Sequence, residues 1–297
     1  MACAGLRRDV VVPLPHLVEA VLAQRPPSLQ PLRKYVRWLT QQHGTAHDRQ
    51  RTTASVSFVG EPRRRIGAYV VCRDDAARVL LARASVGPAR MWYLPGGGLD
   101  FGEHPRVGAL RKLREETGYI GELDALLGVE VLRLADPDGI AWELVWIIYR
   151  ARVTGGKLTP EADGSTDFAA WVNPERLTTV NTGQLVERAL ALPLHGGSPV
   201  PPYDGLAATG RSELRGVTRL VARGTAAATD ESARRVAHGS TVRPGEDPAA
   251  AVVRAWAALG TDVTVGPARC VTSDIVDDPA AGVRRWTVRV LYDVDIS

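Results

Sequence analysis

Apolar and polar positions follow two rhythms along this chain, and the change near residue 66 divides it. Residues 14–43 carry helical spacing: LPHLVEAVLAQ and LQPLRKYVRWLTQQHG flank Pro26 and Pro27, and Leu32, Val36 and Leu39 share one helical face. A core-packing helical hairpin is the expectation there. The polar run 47–53 reads as a connection, and Arg63, Arg64 and Arg65 read as solvated residues ahead of the first strand. From Ile66 the pattern is that of strands: IGAYVVCR, VLLAR and WYL, each closed by Gly, Pro or charged turn residues. After a glycine-rich segment, residues 105–117 read as a helix, with Pro105 in its first turn and Gly118 just past its end. LLGVEVLRL (126–134), ELVWIIYRARV (143–153) and FAAWV (168–172) read as strands, and QLVERALAL as a closing helix. Strands mixed with two helices predict an α/β unit whose sheet lies between helices.

Residues 193–211 form a Pro/Gly-rich stretch that reads as a linker. Beyond it the chain resembles itself. Shifted by 143 positions, Gly102, Glu103 and Pro105 fall on Gly245, Glu246 and Pro248, Arg111 on Arg254, Val145 on Val288 and Tyr149 on Tyr292. Nine of the 58 positions from 96 to 153 are identical, clustered at a turn, a helix start and one strand, which favours an internal repeat. The organisation expected is an N-terminal helical extension (1–62), a first domain (63–192), a linker (193–211) and a second, degenerate domain (212–297) that stops after the strand equivalent to 143–153.

Composition narrows the class without naming a function. With 45% apolar and 24% charged residues in 297, the chain reads as soluble and globular. No stretch approaches the roughly 18 uninterrupted apolar residues of a membrane helix, and MACAGLRRDVVVP lacks the apolar centre of a signal peptide. A cytoplasmic location and no membrane partner follow as expectations. Cys3, Cys72 and Cys270 have neither metal-ligand spacing nor an even disulfide count. The net charge of +4 favours acidic ligands, but the arginine runs at 49–51 and 63–65 lack interleaved aromatics, so nucleic acid is not the partner expected. Only three lysines occur, Lys34, Lys112 and Lys157, and one of them lies in the segment that carries the chemistry.

That segment is 97–119: Gly97, then Glu103, then Arg111-Lys112-Leu113-Arg114-Glu115-Glu116-Thr117-Gly118-Tyr119. On a helix of 3.6 residues per turn, positions 112, 115 and 116 share a face, and Arg111 is set to meet Glu115 one turn later. Glu115 and Glu116 make an acidic edge, and Lys112 has the spacing to contact Glu116. Cleaving a pyrophosphate requires neutralising anionic oxygens and delivering water in line with phosphorus, which carboxylates holding magnesium can do. The glycines before the helix let backbone approach a phosphate or metal closely.

The spacing resembles the box of the Nudix hydrolases, and WYLPGGG before it and Asp163 to Asp167 with Trp171 after it resemble the flanks of those domains. The resemblance covers about residues 64–192 and implies an α/β/α sandwich with a mixed sheet, followed here by a truncated, degenerate second copy. It departs at Lys112, where the family has glutamate, and mildly at Tyr119. It implies that Gly96 (by its carbonyl), Glu115 and Glu116 hold Mg2+ or Mn2+, and that Glu103 and Arg111 form a structural ion pair. Gly97, Gly98 and Lys112 would contact substrate, and Glu161 or Asp163 would supply a base. Trp142, Trp146 and Trp171 are expected in the core more than against a ligand.

Lys112 swings the local charge by two units relative to a glutamate. Three outcomes follow: hydrolysis with fewer metals, hydrolysis in which the lysine clamps phosphate, or a pseudoenzyme that binds a nucleotide or diphosphate as a regulatory module. The first class, hydrolysis of a small-molecule nucleoside diphosphate linked to another moiety, is the leading expectation. In the second half the box position reads Arg254-Ala255-Trp256-Ala257-Ala258-Leu259, without either glutamate, so this half is expected to pack against the first domain as a structural or substrate-shaping partner. A homodimer is left open.

Overall fold

The computed structural model describes residues 59–85, 90–135, 140–161, 164–177, 179–200, 215–226 and 237–296. The helices expected in 14–43, the run 49–51, Cys3, Asp163 and linker residues 201–211 lie outside the described residues.

Three strands are longer than their apolar runs. β1 spans Val59–Cys72, β5 Tyr119–Ala135 and β6 Ile140–Gly156. β1 therefore includes Arg63, Arg64 and Arg65, which corrects their reading as a solvated connection. Each of the three sits in β register against β6: Arg63 opposite Trp142, Arg64 opposite Glu143, Arg65 opposite Leu144. The Arg63 guanidinium lies over the Trp142 ring, 5.8 Å from its centroid, and Arg64 Nε donates to Glu143 Oε1 at 2.5 Å. Cross-strand partners of this kind carry charged residues into a strand that periodicity alone would end earlier.

The first sheet runs β4-β1-β6-β5-β8, where β4 is Gly96–Gly98 and β8 is Ser198–Pro199. β1 and β6 are parallel and the other pairs antiparallel. A smaller sheet, β3-β2-β7, joins Trp92–Tyr93, Val79–Ala84 and Thr166–Val172. Helix α1, Pro105–Thr117, packs Ala109 and Leu113 onto one face with Ile66, Ala68, Val70 and Ile147. Helix α2, Gln184–Ala191, covers the other face with Leu185, Val186 and Ala189 against Leu81, Leu144, Trp146 and Ile148. This is the expected α/β/α sandwich with mixed strands.

Part of the expected linker is docked. Ser198 and Pro199 pair with Leu126 and Ala125 as β8, and Ser198 Oγ donates to Ala268 O at 3.0 Å. The C-terminal sheet runs β10-β9-β12-β11, with β9 Arg215–Ala226, β10 Ala237–Thr241, β11 Val263–Asp278 and β12 Val283–Ile296. Its pairings follow the same pattern as β4-β1-β6-β5: β9 and β12 are parallel, and β10 and β11 join antiparallel at the two sides. Helix α3, Pro248–Ala257, precedes β11 as α1 precedes β5. One continuous buried cluster joins Ile66, Val145 and Tyr149 to Leu220, Val288 and Trp286, so the two sheets share a core.

Candidate active site

Helix α1 is fixed at both ends by its own residues. His104 is its N-cap, Nδ1 accepting from Arg106 N at 3.2 Å, and Pro105 occupies the first turn where no amide partner is needed. Gly118 closes it with φ 72°, donating its N–H to Arg114 O. The register thus set buries Leu113 and Glu116, leaves Glu115 exposed, and holds Lys112 between.

Arg111 forks onto Glu103, Nε to Oε1 at 2.6 Å and Nη2 to Oε2 at 2.7 Å, while its Nη1 reaches both Glu115 oxygens at 3.1–3.2 Å. Glu103 also accepts from Asp100 N at 3.0 Å, so one carboxylate ties the loop before the helix to the helix itself. This is the ion pair that the resemblance implied. Hydrogen bonds donated to Glu103 raise the Arg111 pKa further above its ordinary value and fix its charge.

Lys112 departs from expectation. Its Nζ lies 2.8 Å from Glu115 Oε2, an i,i+3 contact, and not on Glu116 at i,i+4. Its stem runs along Gly97, where an added Cβ would stand 3.5 Å from Lys112 Cε. Partial burial opposes ionisation of Glu115, but the hydrogen bonds and charges of Lys112 and Arg111 outweigh it and hold the carboxyl below its usual range.

Glu116 goes the other way. It is 3% exposed, and burial pushes its carboxyl up to about 8 against the hydrogen bond from Gly96 N (3.1 Å) and the Lys112 charge; Glu161 and Glu115 push it further up. Glu161 is held in place by Thr166. Its Oε2 accepts from Thr166 N at 3.1 Å and Thr166 Oγ1 at 3.0 Å, which aims the carboxylate from the loop before β7.

One contributor escaped the sequence reading. The Arg65 guanidinium lies over Gly98, where an added Cβ would come within 2.8 Å of it, so a second cation borders the glycine loop. Alternation along β1 would have placed Arg65 on the face of Gly67 and Tyr69, had the strand been extended far enough back. Of the tryptophans, Trp146 is core, Trp171 donates from Nε1 to Tyr119 Oη at 3.1 Å, and Trp142 packs under Arg63, consistent with structural roles. No helix among the described residues is long and apolar enough to cross a membrane.

A family model for the NUDIX domain matches residues 63–190. A provisionally named 8-oxo-dGTP diphosphatase of Bacillus subtilis is 34% identical over 113 residues, 37% of this chain and 68% of that protein. A MutT-like protein of Streptomyces ambofaciens is 30% identical over 143 residues, 46% of this chain and 82% of that protein. The solved NUDIX hydrolase from Nitrosomonas europaea aligns with 48% of this chain and 100% of that chain, at 21% identity and a TM-score of 0.40. With the matched span covering most of two relatives, and with Glu103, Arg111, Glu115 and Glu116 gathered around the glycine loop, the chain belongs to the Nudix family.

Proposed function

We propose that residues 63–192 form a pyrophosphohydrolase domain that cleaves a nucleoside diphosphate linked to another moiety, with Lys112 acting as a built-in phosphate-binding cation. The observation that carries this is the position of the Lys112 ammonium, 2.8 Å from Glu115 with its stem on Gly97, at the mouth of the loop formed by Gly96, Gly97 and Gly98. A cation there neutralises a bound phosphate oxygen. Names of relatives support the substrate class only: an RNA pyrophosphohydrolase of Cereibacter sphaeroides and an 8-oxo-dGDP phosphatase of Homo sapiens act, by name, on phosphate esters of nucleosides.

The donor set bears on the metal. The Gly96 carbonyl, Glu115 and Glu116 are hard oxygen donors of the kind that take Mg2+ or Mn2+. Among the described residues no group of three or more His, Cys, Asp or Glu side chains converges. A divalent cation, when bound, would supply further charge neutralisation on the diphosphate. The chain's own residues do the remaining work. Arg111 orients Glu115, Lys112 with Gly97 and Gly98 holds phosphate, and Glu161, aimed by Thr166, accepts the proton of the attacking water. Asp163, outside the described residues, is the alternative base. The chemistry is in-line attack of water on phosphorus, with the nucleoside phosphate as leaving group.

Residues 212–297 are proposed as a degenerate second copy. Glu246 and Arg254 form the same fork (2.6 and 2.8 Å), Glu246 accepts from Arg243 N at 2.8 Å as Glu103 does from Asp100, and Asp247 caps α3 as His104 caps α1. Each correspondence holds at the one offset of 143.

Thermal-shift screening of nucleoside diphosphate sugars, dinucleotides, nucleoside triphosphates and prenyl diphosphates, with and without Mg2+, tests the reading. A stabilising nucleoside diphosphate derivative that is also consumed is the expected result. Stabilisation without consumption of any compound would instead support a binding module.

A further inference from the structure

The two halves touch through equivalent places in opposite directions. The turn before α1 carries Phe101 and Gly102, and it lies on the C-terminal sheet. The Phe101 ring meets Trp286 edge-on at 5.9 Å, and Gly102, at φ 87°, leaves no room for a side chain because its Cβ would fall 2.3 Å from Ile275 Cδ1. The turn before α3 carries Gly245, and it lies on the N-terminal sheet, its N–H donating to the Glu143 carboxylate. Arg64 seals that contact, donating to Val242 O at 3.1 Å and Arg243 O at 3.0 Å. Gly102 and Gly245 differ by 143 positions, and so do Glu143 and Trp286. Each half thus presses its pre-helix turn onto the same place in the other, which is the reciprocity of a two-fold assembly written into one chain.

The two contacts differ in consequence. In the second half the turn leads to a helix without carboxylates. In the first half it leads directly to Glu103, whose carboxylate accepts from Asp100 N within the turn and forks onto Arg111, which in turn holds Glu115. A turn free to shift would carry Glu103 with it, and a displacement of about 1 Å in such a support can cost on the order of 100-fold in rate.

We infer that the C-terminal half is an intramolecular second subunit whose Trp286 and Ile275 are positioning residues for the site: they brace Phe101 and Gly102 and so keep Glu103 on Arg111. This rests on the hydrolytic reading for its kinetic consequence, but not for the bracing itself. The contact is one of ring packing. Trp286 is 4% exposed and its Nε1 is buried without a hydrogen-bond partner, so a phenylalanine at this position retains the edge-on contact with Phe101 and loses no bond.

The test uses the full chain with Trp286→Ala, Trp286→Phe, Ile275→Ala and, as a control on the exposed neighbouring position, Val276→Ala. Hydrogen exchange without substrate reads the turn directly. Faster exchange of the Glu103 amide is expected in W286A and I275A, and exchange at the wild-type rate in W286F and V276A. Steady-state turnover of the nucleoside diphosphate derivative consumed fastest should show kcat lower by about tenfold in W286A with KM within about twofold, and recovery in W286F. Unchanged Glu103 exchange in both alanine variants would overturn the bracing, as would a KM effect with kcat intact. If W286A does not fold, I275A decides, since it removes the contact at Gly102 by shortening a half-buried side chain. If no compound is turned over by the wild type, the hydrolytic reading fails while the exchange measurement still decides the bracing.

Discussion

At the scale of single residues, Lys112 and Glu116 share a helix face and take different partners. The sequence showed that both lie on one helix face but not which neighbour the lysine would choose, because i,i+3 and i,i+4 partners are nearly equivalent in spacing. Burial made the choice: Glu116 turns inward to Gly96 N, and Glu115 stays at the surface within reach of both Arg111 and Lys112. Removing the ammonium while keeping the stem, Lys112→Met, should raise KM for the diphosphate substrate roughly tenfold or more with the fold intact, checked by steady-state kinetics and circular dichroism. His104 gives a pH dependence. Burial and the nearby Arg106 charge push its imidazole down from 6.5 to about 4, in keeping with an Nδ1 that must stay unprotonated to cap α1. Between those values the unfolded chain binds the proton more readily, so the contribution of His104 is complete above 6.5 and is lost as pH falls toward 4. Denaturation midpoints measured across that window should fall less steeply in His104→Asn, which retains a capping oxygen.

Among the elements, α1 was legible to the residue, since Pro105 and Gly118 mark its ends by backbone chemistry that tertiary contacts do not override. The strands were legible in kind but not in length. β5 carries Glu122 opposite Arg152, and β1 carries Arg64 opposite Glu143, so polar residues that read as strand ends were held in register by partners distant in sequence. Gly118→Ala should destabilise the chain by about 1 to 3 kcal/mol, because a side chain is disfavoured in this left-handed position and its Cβ would meet Lys157 O at 2.5 Å. Leu113→Ala, at a fully buried position between α1 and β1, should cost about 2 to 5 kcal/mol in chemical denaturation.

For the whole molecule, the offset of 143 marks the proposed repeat, and the missing box glutamates argued for packing of the second half on the first, but nothing in local pattern revealed which residues would make that shared core. The decisive residue was a lone glutamate in an apolar strand. Glu143 is 1% exposed, and it accepts from Arg64 of its own sheet and from Gly245 of the other half. Glu143→Ala should destabilise by about 3 kcal/mol by leaving Arg64 Nε and the Gly245 amide without their shared acceptor, as thermal unfolding would register. Because the buried cluster is continuous across both sheets, calorimetry of the wild type should give one cooperative transition for both halves, where independent domains on a flexible linker would give two.

A Nudix site with lysine in its box is proposed still to cleave a diphosphate. The most direct measurement is phosphorus NMR of nucleoside diphosphate derivatives incubated with the full chain and Mg2+, beside the Glu116→Gln variant. Wild-type conversion of at least one compound to a nucleoside monophosphate and a second phosphate product, lost in E116Q, is the result predicted. No conversion by the wild type, together with conversion by Lys112→Glu, would contradict it.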